Sequence, residues 1–286
     1  MASNSNISHV VVTPSRNESD LLPKLAYSMT SQTLIPSKWV IVAHNSGQST
    51  REILEELCIN NDWISCIYVD DSSQRKRGAQ IARLVNRGLS SISLDWDFFS
   101  KIDADMVLPN DYFERIFSKF SNSKKLGIAS GSCFLIEKGK KTLERVSPDH
   151  TRGGLKTYRR DCFDKMGGIR DCDGWDGLDN ISAQVHGWET RSFGDMEVLH
   201  QRRTGSYSGL ISGCFESGRF AYSMGYFPPF MIARSIHRMG NKPMIVGGIS
   251  MFIGYLTAPF RGQRRIADQE IVSYLRNNQK NRLKPW

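Results

Sequence analysis

The sequence predicts an α/β fold with a mostly parallel central sheet flanked by helices, followed by a helical, basic C-terminal extension. Three observations lead there. Short apolar, β-branched runs recur four times in the first 105 positions, and each is followed by a polar loop and a stretch with helical spacing. The positive charge is confined to the last part of the chain: residues 201–286 carry 13 Lys and Arg against 3 Asp and Glu, whereas residues 1–200 carry 25 against 26.

The first run, His9 to Thr13, is closed by Pro14 and reads as a buried strand. Cap-type residues Asn17 to Asp20 follow, and Leu21, Leu22, Leu25 and Met29 recur at helical spacing. Trp39 to Ala43 is a second strand, with a polar loop from His44 to Thr50 and a helix through Leu57. Cys66 to Val69 is a third, with a helix from Gly78 to Leu89. Phe98 to Ile102 is a fourth and ends on Asp103-Ala104-Asp105. In such folds the ligand sits beyond the carboxyl ends of the strands, where these polar loops lie.

After residue 125 the alternation weakens. Leu126 to Ile136 reads as one or two strands, Arg152 to Asp161 as a polar segment containing glycine, and Asn180 to His186 as a helix stopped by Gly187. Met196 to His200 is a last strand. From Ser206 the chain is helical in character and rich in aromatics. Met244 to Pro259 is apolar but, at 16 residues with Gly247-Gly248 inside, falls short of the roughly 20 that span a bilayer. It is expected as a half-buried or membrane-surface helix. The predicted organisation is a catalytic domain over 1–205, with halves of about 1–105 and 106–205, and a basic helical region over 206–286.

Composition narrows the class. Of 286 residues 40% are hydrophobic and 23% charged, with 10 Pro and 24 Gly, which excludes collagen-like and low-complexity chains. The six cysteines form no CxxC pair and no apolar core follows a basic start. A disulfide scaffold, a zinc finger and a signal peptide are therefore not expected, and a reducing cytosolic setting is. The basic extension asks for a polyanionic surface, either anionic lipid or nucleic acid.

The chemistry concentrates in three places. In Lys101-Ile102-Asp103-Ala104-Asp105 two carboxylates stand at i and i+2 at a strand end, an arrangement suited to a hard divalent cation that bridges phosphates; the alternative is a plain Asp turn. In Gly174-Trp175-Asp176-Gly177-Leu178-Asp179 two acids flank a glycine at a helix start, one of them a candidate general base and the other a first-turn acid. His200 ends the last strand as a metal ligand, a phosphate contact or a structural histidine, and Arg202 and Arg203 follow it as diphosphate contacts or as surface charge.

Taken in order, these segments resemble a family-2 glycosyltransferase of the GT-A (nucleotide-diphospho-sugar transferase) fold from about His9 to His200. Thr13-Pro14-Ser15-Arg16-Asn17-Glu18 resembles the nucleotide-binding opening, and Arg77-Gly78-Ala79 with Asn86 and Gly88 the glycine-containing helix segment. Asp103 and Asp105 match the DXD motif. Met166-Gly167-Gly168 followed by Trp175-Asp176 and the helix to Gly187 resembles the acceptor-side segment that carries the catalytic base. Two departures stand out. The second-strand loop, Ala43-His44-Asn45-Ser46, lacks the usual acid, and Trp175-Asp176 replaces Glu-Asp; the usual eleven-residue spacing back from Gly187 selects Asp176 as base, with Asp179 its rival.

The resemblance implies an inverting, metal-dependent transferase that moves a sugar from a nucleotide-diphosphate sugar to a hydroxyl of a glycan or lipid-linked acceptor. The nucleotide would lie near Thr13 to Glu18, Asn45, Asp70-Asp71, Arg77, Gly78, Lys101 and Asp103. Mn2+ or Mg2+ would be held by Asp105 with Asp103 and His200, while Arg202 or Arg203 would face the departing diphosphate. Family members often act on membrane-proximal acceptors, so the basic extension is expected to lie on the anionic inner face of the cell membrane; packing on protein or an oligomer contact is the alternative. Two other classes compete. A Mg-dependent nucleotidyltransferase would carry a Gly- and Lys-rich phosphate loop, which Thr13-Pro14-Ser15-Arg16-Asn17-Glu18-Ser19 is not. A nucleic-acid-binding protein would show a recognised motif, and none is present.

Overall fold

Val10, Val11 and Val12 are all fully buried, so both faces of the first strand are covered, as a parallel sheet between helices requires. The computed structural model describes residues 7–73, 78–137, 139–144, 147–202, 209–266 and 268–284. The chain divides into two compact units, Met1–Arg202 and Arg203–Trp286.

In the first unit the order is β1 (His9–Ser15), α1 (Leu22–Thr30), β2 (Lys38–His44), α2 (Gln48–Asn60), β3 (Ile64–Val69), α3 (Ala79–Ser90) and β4 (Phe98–Ile102). There follow β5 (Met106–Val107), α4 (Tyr112–Asn122), β6 (Leu126–Glu137), β7 (Lys140–Leu143), β8 (Leu155–Arg159), α5 (Arg160–Lys165), α6 (Trp175–Val185) and β9 (Glu189–His200). The sheet runs β3-β2-β1-β4-β8-β6-β9-β5, with β7 on the edge of β6. The four strands expected from the sequence are the parallel block β3-β2-β1-β4. Beyond it β8 is antiparallel to both β4 and β6, and β9 runs parallel to β6.

Alternation along the strands sorts the core into two layers. Val11, Trp39 and Ile41 pack with Leu22, Leu25 and Met29 of α1 and with Phe113 and Phe117 of α4. Val10, Val12, Val40 and Val42 face the other way, onto α3, Phe163 and Trp175. A side chain at Gly88 would put its Cβ 2.6 Å from Val12 and 2.8 Å from Val42, so glycine is what lets α3 lie on the sheet.

Three of the expected elements differ in the structure, each for a physical reason, and β5, α4, β7 and α5 have no counterpart in the sequence reading. β8 falls within Arg152 to Asp161, which the sequence presents as a polar segment containing glycine; Lys156, Thr157 and Tyr158 look polar there, yet all three are fully buried. Helix α6 begins at Trp175, five residues before the expected start, since Gly174 in a left-handed conformation (φ 76°) supplies its N-cap. Strand β9 begins at Glu189, not Met196; its first half alternates only weakly, being largely exposed.

The second unit comprises α7 (Leu210–Ser223), α8 (Pro228–Arg238), α9 (Val246–Thr257), a 3-10 turn (Pro259–Arg261) and α10 (Gln269–Leu283). Its small core is Cys214, Ala221, Met231, Met251 and Tyr255. Among the described residues no helix is long and apolar enough to cross a membrane.

One buried titratable group makes this fold pH-sensitive. The His9 ring is fully buried, 2.8 Å from Ser100 Oγ and edge-on to Phe113 and Phe117. Burial keeps the imidazole neutral and pushes its pKa down to about 3. An unfolded chain binds this proton near pH 6.5, so stability falls as pH drops from about 6.5 towards 3. In urea titrations taken from pH 7 to about 5, the wild type is expected to lose about 2 kcal/mol more stability than His9→Gln. Equal losses would mean that His9 is protonated in the folded protein.

Candidate active site

The carboxyl ends of β1, β2, β3 and β4 open into four loops that meet at one edge of the sheet. The β1 and β2 loops are tied by Gly47 N, which donates to Asn17 Oδ1 (2.7 Å), and Asn17 N, which donates to Ser46 Oγ (3.3 Å). Asn17 and Asn45 sit at φ 51° and 44°, a left-handed conformation that Asn tolerates. The β2 and β3 loops are tied through Asp71. Its Oδ1 lies 3.0 Å from His44 Nε2 and accepts from Asn45 Nδ2 (3.1 Å) and from Ser73 Oγ and N, while Asp71 N donates to Asn45 Oδ1. Hydrogen bonds from Ser73, then His44 and Asn45, hold the Asp71 carboxyl well below the usual carboxylate range. An acid thus stands in this loop cluster after all, supplied by β3 and not β2.

Deeper in, a line of alternating charges crosses the strand ends. Arg202 clamps Glu18 with both terminal nitrogens (2.8 and 2.9 Å) and donates through Nε to Asp105 Oδ2 (2.6 Å). His200 Nε2 stands 3.5 Å from the same Asp105 oxygen, and its Nδ1 is 3.0 Å from Glu144 Oε2, which also accepts from Arg152 (2.8 Å). Residues 18 and 202 meet because β9 pairs with β5, setting His200 opposite Met106, and Gln201 N donates to the Asp105 carbonyl. Burial works against charge on His200, but Asp105 and Glu144 on either side outweigh it and raise the imidazole to about 9. Burial likewise opposes ionisation of Asp105, and His200 and Arg202 outweigh it, leaving the carboxyl below its ordinary value. Asp105 Oδ1 is buried with no hydrogen-bond partner. That orphaned oxygen, on a hard oxygen donor beside an imidazole, fits a divalent cation, although among the described residues no cluster of three His, Cys, Asp or Glu ligands is preassembled.

Asp103 takes other partners. Its Oδ1 accepts from buried Lys101 Nζ at 2.5 Å, and Lys101 also donates to the Gly153 carbonyl (2.7 Å). The expected set of Asp103, Asp105 and His200 is therefore split: Asp105 and His200 come together, while Lys101 holds Asp103. The pair Gly153-Gly154 forms the floor beside it. A Cβ on Gly154 would lie 2.6 Å from Asp103 Oδ2, and one on Gly153 would lie 2.7 Å from Asp176 Oδ2. Each of the two carboxylates thus lies against one of two successive glycines.

The rival base Asp179 is in a different setting. Its side chain is 3% exposed, and it accepts from Lys156 Nζ (2.6 Å), Tyr158 OH (2.5 Å) and the backbone N–H of Asn180. Burial pushes its carboxyl up, and Lys156 and Tyr158 oppose the rise. It takes three hydrogen bonds inside the protein and is almost fully enclosed, so a bound substrate does not reach it without displacing them. Asp176 is half-buried and its carboxylate makes no hydrogen bond among the described residues; only its carbonyl is used, by Lys156 and Asn180. Trp175 lies with Lys101 Nζ 5.4 Å and Lys156 Nζ 5.6 Å from its ring.

Other expected contacts sort as follows. Thr13 leaves the site, since its side chain is buried and accepts from Trp39 Nε1 (2.9 Å). Asp70 is clamped by Arg51 on α2 with two 2.6 Å contacts, so Asp71 takes its place. Pro14 lies past the last β1 residue paired with β4, and Arg16 reaches the Ser73 carbonyl (3.4 Å). Gly78 (φ 71°) starts α3, where Ala79 N donates to Asp173 Oδ1 and a Cβ at Gly78 would strike that carboxylate. Arg77 and Arg203 lie outside the described residues. The residues that the sequence did not single out are His44, Glu144, Arg152, Gly153, Gly154 and Lys156; of these only the glycine pair left a visible signal. A surface groove of about 510 Å³, lined by Lys119, Arg191 and Phe193 among others, lies at the end of β9 away from His200 and shares none of these groups.

The sequence profile of glycosyl transferase family 2 matches residues 10–173, and the chain belongs to that family. Among solved structures it resembles residues 1–349 of TarS from S. aureus (12% identity, 89% of this chain and 72% of that one, TM-score 0.54). It also resembles the mannosyltransferase PcManGT from Pyrobaculum calidifontis in complex with GDP-Man and Mn2+ (13%, 96% and 80%, TM-score 0.54). A third is GalNAc-T7 with UDP, GalNAc and Mn2+ (14%, 77% and 51%, TM-score 0.57). At these identities the likeness establishes the fold, which is GT-A. No curated protein matches by sequence.

The two acids of α6 should separate cleanly on substitution. Asp179→Ala leaves Lys156 buried and unpaired and is expected to cost about 3–5 kcal/mol in urea unfolding. Asp176→Asn, which loses no hydrogen bond, should change stability by less than about 0.5 kcal/mol. Similar losses for both would mean that Asp176 is also structural.

Proposed function

We propose that this chain is an inverting glycosyltransferase that moves a sugar from a nucleotide-diphosphate sugar to a hydroxyl of a glycan or lipid-linked acceptor. Family membership supports glycosyl transfer, and the fold supports a nucleotide-sugar donor lying across the strand ends. The observation that carries the residue assignment is the contrast within α6: Asp179 is enclosed, whereas the Asp176 carboxylate, which lies against Gly153, makes no hydrogen bond among the described residues.

In this reading the nucleotide lies against the Asn17, Asn45 and Asp71 loops and its diphosphate faces Asp105 and Arg202. Asp176 accepts the proton of the acceptor hydroxyl as its oxygen bonds to the anomeric carbon. The bond from that carbon to the diphosphate breaks, and the nucleoside diphosphate leaves with the electron pair from the opposite face. Asp105, with His200 once its ring proton is released, would hold a divalent cation, Mn2+ or Mg2+, which would supply positive charge for the diphosphate. Lys101 orients Asp103, and the glycine floor keeps both carboxylates free of side-chain obstruction.

Calorimetry tests the donor site. UDP-, GDP- and dTDP-sugars are titrated with and without Mn2+ into the wild type and into Asp105→Asn, with circular dichroism as the control for folding. One nucleotide class is expected to bind in a metal-dependent way that the variant loses. Absence of binding by every sugar nucleotide, with or without Mn2+, would overturn the reading. With the donor found, Asp176→Asn is expected to lower turnover on the order of 10²–10⁴-fold with donor affinity retained; full turnover would remove Asp176 as base.

A further inference from the structure

Helix α9 is built inside out. Its small residues face the protein: a Cβ on Gly254 would fall 2.1 Å from the Phe215 carbonyl of α7, and one on Gly248 would fall 2.3 Å from the Ser235 carbonyl of α8. Its branched residues face outward. Val246, Ile249, Ile253 and Leu256 are 45–49% exposed and fall on one side of the helix. The helix carries no charged residue at all. A surface helix of a globular protein shows the reverse pattern, with polar groups outward.

The apolar surface extends past both ends of the helix. Met244 and Ile245 precede it at 63% and 61% exposure, and Phe260 follows at 90%. Neighbouring helices widen it: Ile232 and Ile236 of α8 are exposed, and Ser250 Oγ donates to the Ile211 carbonyl, bringing the exposed start of α7 alongside. Charge brackets the stripe. Lys242 stands just before Met244, and Arg261 and Arg264 stand just after Phe260, all exposed. From Ser217 to Ala267 the sequence has seven Lys and Arg and no Asp or Glu.

We propose that this face is a membrane-docking surface that lies in the interface of an anionic bilayer, with its aliphatic side chains in the acyl boundary and its cations at the headgroups. The charge decides between occupants. A second copy would bring two strongly basic surfaces together, whereas anionic lipid neutralises them and accepts the apolar stripe in the same step. Twelve residues of α9 rise about 18 Å, so the helix lies along the bilayer and does not cross it. The inference is independent of the transfer reaction, because docking uses neither Asp176 nor a sugar nucleotide.

Flotation of the full-length protein with phosphatidylcholine vesicles, with and without phosphatidylglycerol, is the test, read alongside light scattering of the protein alone. The wild type is expected to float with the anionic vesicles and not with phosphatidylcholine alone. Ile249→Glu/Ile253→Glu, which changes outward positions only, is expected to abolish flotation. Lys242→Glu/Arg264→Glu is expected to weaken it by about tenfold or more. Circular dichroism checks both variants; if the isoleucine variant does not fold, the charge-reversal variant decides. Failure of the wild type to float with anionic vesicles overturns the proposal, as does undiminished flotation of both variants. A dimer that the isoleucine variant dissolves, in a protein that does not float, assigns the face to a second copy instead.

Discussion

Asp105 is 5% exposed, and a carboxylate at that depth has to be paired. Arg202 and His200 pair it, and each of them is held by a second acid, Glu18 and Glu144, with Arg152 beyond. The consequence is geometric. Six residues that lie between positions 18 and 202 of the sequence must come to one line across the strand ends for any of these charges to be satisfied. The line holds the ends of β1, β4 and β9 in one arrangement. Among the described residues one oxygen of Asp105 is left without a partner, and that oxygen is the donor a divalent cation would use.

The same principle separates the two acids of α6. Three residues apart on one helix, they face different surroundings. Asp179 turns onto β8, where Lys156 and Tyr158 enclose it, and that pair is what allows a lysine to sit fully buried in a strand. Asp176 turns onto Gly153. Trp175, between them in the core, has the ammonium groups of both Lys101 and Lys156 within reach of its ring. One carboxylate is part of the scaffold that fixes the helix, and the other is left open by it. A general base has to exchange its proton with a substrate, which only the open one can do.

In the second unit the packing logic is inverted. Gly218, Gly248 and Gly254 let α7, α8 and α9 approach at backbone distance, and Met251 and Tyr255 of α9 fill the small core there, which leaves Val246, Ile249, Ile253 and Leu256 outside it. They point out instead, in a region without a single acidic residue between Glu216 and Asp268. Apolar exposure and one-signed charge therefore arise from one cause, a bundle that packs through its smallest residues.

The parallel block was legible from the sequence because its strands are short and mostly apolar: His9 to Thr13 and Trp39 to Ala43, buried on both faces, and the runs Cys66 to Val69 and Phe98 to Ile102 need no partner to be recognised. The strand-end positions of Asp103 and Asp105 and the helix-start position of Asp176 followed from the same local rules. Pairing did not. Lys156 and Tyr158 concealed β8, because a buried polar residue looks like a surface one until its partner is known. Thr13 and Asp70 looked available in their loops, but Trp39 and Arg51 occupy them; His44 and Glu144 stood nearby without a pattern to mark them. Local structure is set by neighbours in the chain, and the sequence states those directly. Which buried charge meets which is set by the register of β9 on β5 and of β8 on β4, and that register exists only once the sheet has closed.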